Sequence, residues 1–263
     1  MENPAREVVR SRGRPHESVC GPSRSPAEPE LSVLLPAFNE EACIETVLCE
    51  TLGVLRGLDR TFEVLVVDDG STDATPERLR RLKAEFPELR VLRLDRNSGQ
   101  SAALGAAFQA ARGAIFVTLD ADGQNDPADI PALVARLDSC DLCCGFRAKR
   151  QDTLSKRIGS RLANAVRNRA LHETIRDTGC TLKAFRAEYA QTLPMQFRGM
   201  HRFLPALMAM AGARIEELPV NHRPRAAGQS KYTNWGRLKE TLADLRAVRW
   251  MQKRHRPVRI EEL

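Results

Sequence analysis

The chain has 263 residues, 42% of them hydrophobic and 29% charged, enough to bury a core without disulfides or a structural metal. That balance excludes a chain disordered throughout, and the longest nearly apolar stretch, Phe203 to Ala213, falls well short of the about 20 residues a membrane-spanning helix needs. The net charge of +7 is unevenly spread, because residues 225–263 hold ten Lys and Arg against four Asp and Glu, a basic end that seeks polyanions.

In chain order, residues 1–30 lack hydrophobic periodicity and are rich in Pro, Arg, Ser and Glu, so a disordered leader is expected there. Arg6, Arg10, Arg12, Arg14 and Arg24 leave no apolar stretch for a signal peptide, and a cytosolic location is expected. From Leu31 onward, apolar runs at 31–35, 62–67, 90–94, 114–119 and 141–146 have the composition of strands buried on both faces. Helical patterns at 40–56, 73–86, 99–112 and 127–138 alternate with them, the last opened by Asp126 as N-cap and Pro127 at the first helical position. This alternation predicts an α/β fold with a mostly parallel central sheet. Beyond residue 150 the rhythm changes to a polar, basic helix at 153–170, a strand at 180–186, helices at 187–193 and 200–211, and a strand at 213–220. Met208 and Met210 are expected in the core. One folded domain over 31–235 and a basic amphipathic helix and tail over 236–263 complete the organisation.

Seven cysteines in a chain with no export signal predict reduced thiols. Cys140, Cys143 and Cys144 could be zinc ligands, but no second paired motif follows, and small buried residues of an apolar strand are the expectation. His172 and Glu173 lack metalloprotease spacing and receive no role.

In open parallel sheets, ligands bind beyond the carboxyl ends of the strands. Here those ends carry PAFNEE (Pro36 to Glu41), DDGSTD (Asp68 to Asp73) and DADGQ (Asp120 to Gln124). Carboxylates gathered on one edge repel each other unless a cation sits among them. Asp120 and Asp122, two apart in a tight turn, can face one ion, and their hard oxygens suit Mg²⁺ or Mn²⁺. Neither a dinucleotide fingerprint nor a Walker motif is present.

The strings LSVLLPAFNEE, EVLVVDDGSTDAT, RNSGQSAALGAAFQAARG and FVTLDADGQNDP, in order over residues 31–147, resemble the nucleotide-sugar half of the inverting family 2 glycosyltransferases. The segment HRPRAAGQSKY (His222 to Tyr232) is similar to the polyprenyl-phosphate branch, which includes dolichyl-phosphate mannose synthase. GQNDP departs from the LQDPP of many dolichyl-type members, so mannose is not implied.

The resemblance implies a GT-A-like fold and a role for each matching position. Pro36, Phe38 and Glu40 would line the base and ribose pocket, Asp68 and Asp69 would contact the base, and Ala121 would lie in the donor-binding turn. Asp120, Asp122 and Gln124 would hold the metal. Arg147, Arg157, Arg225 and Lys231 would meet donor and acceptor phosphates, with Asp122, Arg147, Lys231 and Asp177 forming the catalytic set. Because a lipid phosphate is ionised at neutral pH, Asp177 is expected to position rather than abstract a proton.

In residues 236–255, Leu238, Leu242, Leu245, Val248 and Met251 fall on one stripe amid Lys and Arg, which fits a helix that packs on the domain or lies on an anionic membrane surface. Nucleic acid is not expected, since no aromatics interleave the basic residues. The expected partners are a UDP- or GDP-linked sugar, a polyprenyl phosphate, and an anionic membrane surface with or without a membrane-protein partner. The expected location is cytoplasmic and peripheral, on the inner face of the membrane. A transferase with a soluble or protein acceptor and a non-catalytic nucleotide-sugar-binding protein remain the alternatives.

Overall fold

The computed structural model describes residues 28–148, 164–224 and 234–256, without the side chains of 191, 192 and 234–239. Arg157, Arg225 and Lys231 lie outside these residues, as does most of the helix expected at 153–170. Among the described residues a seven-stranded sheet runs in the order β3-β2-β1-β4-β6-β5-β7. Its strands are β1 (Leu31–Ala37), β2 (Phe62–Asp68), β3 (Leu89–Arg93), β4 (Ile115–Thr118), β5 (Leu142–Arg147), β6 (Lys183–Arg186) and β7 (Ile215–Val220). All pairings are parallel except those of β6, which runs antiparallel to both β4 and β5.

The alternation of side chains along each strand divides the core into two layers. Leu31, Val33 and Leu35 of β1, with Val64 and Val66 of β2, face one cluster, whereas Leu34, Leu65 and Val67 face the other. Helices α1 (Ile44–Arg56), α2 (Thr75–Glu85) and α4 (Ile130–Arg136) cover the first layer. The buried residues of α1 are Ile44, Val47, Leu48, Thr51, Leu52 and Leu55, the spacing of a single helical face. Helices α3 (Gln100–Ala110), α6 (Leu204–Met210) and α7 (Asn234–Arg254) cover the second layer, which centres on Phe108, Phe116 and Phe185 with ring centroids 5.6 to 5.9 Å apart. Residues 164–171 form α5, whose Leu171 joins that layer.

Several expected bounds change for local reasons. Residues 40–43 form a turn before α1, and 127–129 form a 3-10 turn capped by the Asp126 carboxylate, which accepts from Ala128 N at 3.1 Å. The segment 187–192 is a 3-10 helix, and the helix expected at 200–211 splits into a 3-10 turn and α6, with Pro205 in the first turn of α6. Cys140, Cys143, Cys144 and Cys180 are core residues, and Cys143 and Cys144 belong to opposite layers, a placement that prevents them from ligating one ion. Burial pushes both of their thiols up to about 12. Met208 is fully buried and Met210 packs against the same cluster.

The expected stripe of α7 does not stay on one face. A three-residue spacing advances about 300° per step and so drifts about 60° backwards each time, placing Leu242 opposite Met251. Leu245, Val248 and Met251 pack on the core, while Leu242 is 39% exposed. No helix of the described residues is long and apolar enough to cross a membrane.

Candidate active site

The parallel strands deliver their carboxyl ends to one edge, and the antiparallel β6 brings the residues that precede it to the same edge. Loops 38–43, 69–74, 119–126 and 221–224 therefore meet the loop 172–182 there. The first two are stitched together: Asn39 N donates to Ser71 Oγ, Thr72 N to Asn39 Oδ1, Glu40 N to Thr75 Oγ1, and Ala74 N to a Glu41 carboxylate oxygen, at 2.8 to 2.9 Å. Gly70, at φ +71°, lets this pair close on the backbone of Arg96 and Asn97, where an added Cβ would come within 2.6 Å.

Pro36 is the penultimate residue of β1, and Phe38 and Glu40, just beyond the strand, are half-buried. The two carboxylates expected to contact a base also bind the protein's own groups. Asp68, 1% exposed, accepts from Ser71 N and pairs with Arg93 Nε at 3.2 Å. Asp69 accepts from Ser98 N at 2.7 Å, Gly99 N at 2.8 Å and Asn97 Nδ2 at 3.1 Å. Burial raises its pKa, and the Ser98 and Gly99 amides oppose that rise. Both therefore hold loops at the pocket wall.

The DADGQ turn follows β4. Gly123, at φ +76°, bends it so that Gln124 N donates to Asp122 Oδ1 at 3.1 Å. Gln100 Nε2, in the first turn of α3, donates to Asp120 Oδ1 at 2.9 Å. The side chain of Ala121 is in the core, so only its main chain is left for a ligand. Gln124 Nε2 stands 3.4 Å from His222 Nε2, and Asn125 pairs with His222 as an isolated bridge. Arg223 links the next residues, its guanidinium meeting Glu50 at 2.6 Å and Asp126 at 2.9 Å. Among the described residues no group of three or more His, Cys, Asp and Glu could hold a metal ion. Two carboxylates and an amide oxygen in one turn nevertheless suit a hard cation that takes its remaining ligands from phosphate and water.

Across the edge, Arg147 and Asp177 form a two-pronged pair, Nε to Oδ2 at 2.6 Å and Nη2 to Oδ1 at 2.9 Å, with Asp177 also accepting from Arg147 N and Gly179 N. The loop that carries Asp177 is held by α5, where Asn164 Nδ2 donates to Arg176 O and Asn168 Nδ2 to Ile175 O. Sequence inspection missed Gln100, Asn125, the Ser101–His201 bond of 2.8 Å and the buried ion pair of Arg167 with Glu173 at 3.0 Å. Gln100 and Ser101 lie in the string RNSGQSAALGAAFQAARG and Asn125 in the departure GQNDP, whereas His201, Arg167 and Glu173 carried no signal.

Residues 32–193 match the family described as Glycosyl transferase family 2. A dodecaprenyl-phosphate galacturonate synthase of Rhizobium johnstonii is 39% identical over 209 residues, which are 77% of this chain and 62% of that protein. An undecaprenyl-phosphate 4-deoxy-4-formamido-L-arabinose transferase of Salmonella paratyphi A is 34% identical over 206 residues, 78% of this chain and 63% of that one. The chain thus spans less than two thirds of the length of these relatives. Among solved structures, a glucosyl-3-phosphoglycerate synthase from Mycobacterium tuberculosis, in complex with Mn²⁺ and UDP-glucose, superposes with a TM-score of 0.64 at 22% identity, covering 84% of this chain and 79% of that one. A mannosyltransferase from Pyrobaculum calidifontis, in complex with GDP-mannose and Mn²⁺, gives a TM-score of 0.58 at 22% identity, with 88% and 66% covered. The sheet order, the carboxylate turn after β4 and a family match over more than half the chain converge on one assignment: this protein belongs to glycosyl transferase family 2 and has the GT-A-like fold.

Proposed function

We propose that the chain transfers a sugar, with inversion, from a nucleotide sugar to a polyprenyl phosphate at the inner face of a membrane, aided by Mg²⁺ or Mn²⁺. The observation that carries this reading is the opposition of the Asp120–Asp122–Gln124 turn to the Arg147–Asp177 pair across a single sheet edge. The names of the two relatives supply the acceptor class. An acceptor phosphate oxygen attacks the anomeric carbon as the bond to the donor's distal phosphate breaks, and the nucleoside diphosphate departs with the electron pair. The metal, when bound to the Asp120, Asp122 and Gln124 oxygens, supplies charge neutralisation at that diphosphate. Arg147, fixed in plane by Asp177, directs a guanidinium fork at phosphate oxygens. The acceptor is already an anion, so a general base is not required. Arg157, Arg225 and Lys231 remain assigned to phosphates on the strength of the sequence resemblance.

The test is transfer of label from UDP- and GDP-sugars into a solvent-extractable polyprenyl phosphate product. The expected result is extractable label that EDTA abolishes and that Asp122→Ala lowers roughly a hundredfold or more, since a catalytic metal supplies several kcal/mol. Label that reaches only a water-soluble acceptor would sink the lipid assignment. The similarity of fold to a glucosyl-3-phosphoglycerate synthase makes phosphoglycerate the acceptor to try in that arm.

A further inference from the structure

We infer that the outer face of α7 is a docking surface for an anionic lipid bilayer, with Trp250 as its anchor. On a helical wheel Leu242, Arg246, Arg249, Trp250, Lys253 and Arg254 fall within a sector of about 140°. It lies opposite the side that packs on the core. Arg246, Trp250, Lys253 and Arg254 are exposed, Arg249 is half-exposed, and Trp250 is 61% in contact with solvent. Asp244 does not offset this charge, because it is turned inward against Gly199, where burial raises its pKa and Arg202 lowers it. Leu245, Val248 and Met251 of the apolar stripe legible in the sequence face the core, and the membrane side, which includes Leu242, is their reverse.

The surroundings of α7 point to the same ligand. The exposed large hydrophobic residues of the described chain are Val166, Phe197, Leu242 and Trp250, and all four belong to α7 or to segments packed on it. Val166 is on α5, whose Leu171 O accepts from Gln252 Nε2 of α7 at 3.0 Å, and Phe197 lies two residues before Gly199. An indole ringed by cations, with small apolar patches and no carboxylate in that sector, suits the headgroup region of a bilayer. A second copy of the chain is disfavoured, since a twofold contact would set Arg246, Arg249 and Lys253 against their own charge.

The use of this surface rests on the lipid-borne acceptor proposed above, but its occupancy is measured without donor, metal or acceptor. The full chain is sedimented with phosphatidylcholine vesicles, with and without phosphatidylglycerol, at low and high salt. Binding is expected only to the anionic vesicles and to be released by salt, with a blue shift and brominated-lipid quenching of tryptophan emission. Trp250→Phe removes that response and assigns it against Trp235, the other tryptophan. Arg246→Gln and Lys253→Gln should each weaken partition about fivefold, and Trp250→Ala about tenfold, with wild-type melting. Equal binding to neutral vesicles, no change in Trp250 emission, wild-type partition of the variants, or loss of vesicle binding only to competing duplex DNA would each overturn the proposal.

Discussion

Asp177 accepts from the guanidinium and main chain of Arg147 and from Gly179 N. Its lone pairs are thereby directed at the protein, and a residue so placed orients a partner. Asp177→Asn keeps the shape but turns one acceptor into a donor facing the guanidinium, leaving Arg147 mis-set and partly buried. Turnover should fall roughly ten- to a hundredfold, in line with the loss of one or two charge-assisted bonds. The pH–rate profile should keep its shape. Loss of the acidic limb in that variant would instead identify Asp177 as the proton acceptor and overturn the positioning role. Arg147→Lys should not restore wild-type turnover, because an ammonium cannot make the two-pronged contact.

At the scale of elements, α5 and the loop after it set where Asp177 stands. Arg167 and Glu173 are 8% and 7% exposed and meet at 3.0 Å, but without hydrogen-bond alignment, and Arg167 also lies 5.2 Å from the centre of the Phe203 ring. Burial lowers the Arg167 pKa and raises that of Glu173, so each resists charging alone. Removing one partner strands the other: Arg167→Met should cost about 3 to 5 kcal/mol in urea melts. The double variant Arg167→Met with Glu173→Leu should recover most of that loss. If the double variant is as unstable as Arg167→Met alone, the pair is not the source of the cost. None of this was legible in sequence, where His172 and Glu173 match no motif and Arg167 is one basic residue among many. The strands before residue 150 were legible, because side chains buried on both faces leave unbroken apolar runs such as FEVLVV. The split before α6 was less so, since the 3-10 turn ahead of Pro205 has no hydrophobic period of its own.

At the scale of the whole molecule, every parallel strand and the reversed β6 send a loop to one edge. The carboxylate-bearing loops could thus be read from the sequence as those just after each strand, whereas Asp177, which precedes β6, and Arg147, Arg157, Arg225 and Lys231 came only from the family resemblance. Sequence alone did not show which of these carboxylates also hold the loops. Asp68 and Asp69, like Asp120 and Asp122, read in sequence as carboxylates just after a strand, and the structure adds that the first pair also holds Ser71, Arg93 and the 97–99 loop. A donor that bridges the 38–43, 69–74 and 119–126 loops should stabilise the fold as a unit. At a free concentration about 100 times its Kd, such a ligand adds about 2.7 kcal/mol. For a chain of this size that is a rise in Tm of about 5 to 10 °C. A panel of UDP- and GDP-sugars, each melted with Mn²⁺, with Mg²⁺ and with EDTA, should show one base class giving this rise only when the divalent ion is present. Asp122→Ala should abolish the metal-dependent part, whereas Trp250→Ala should leave the whole response intact, since Trp250 is an exposed residue of α7 and belongs to none of these loops. A rise of equal size in EDTA would show that the diphosphate is held by side chains alone, and the carboxylate turn would then lose its place as the metal site.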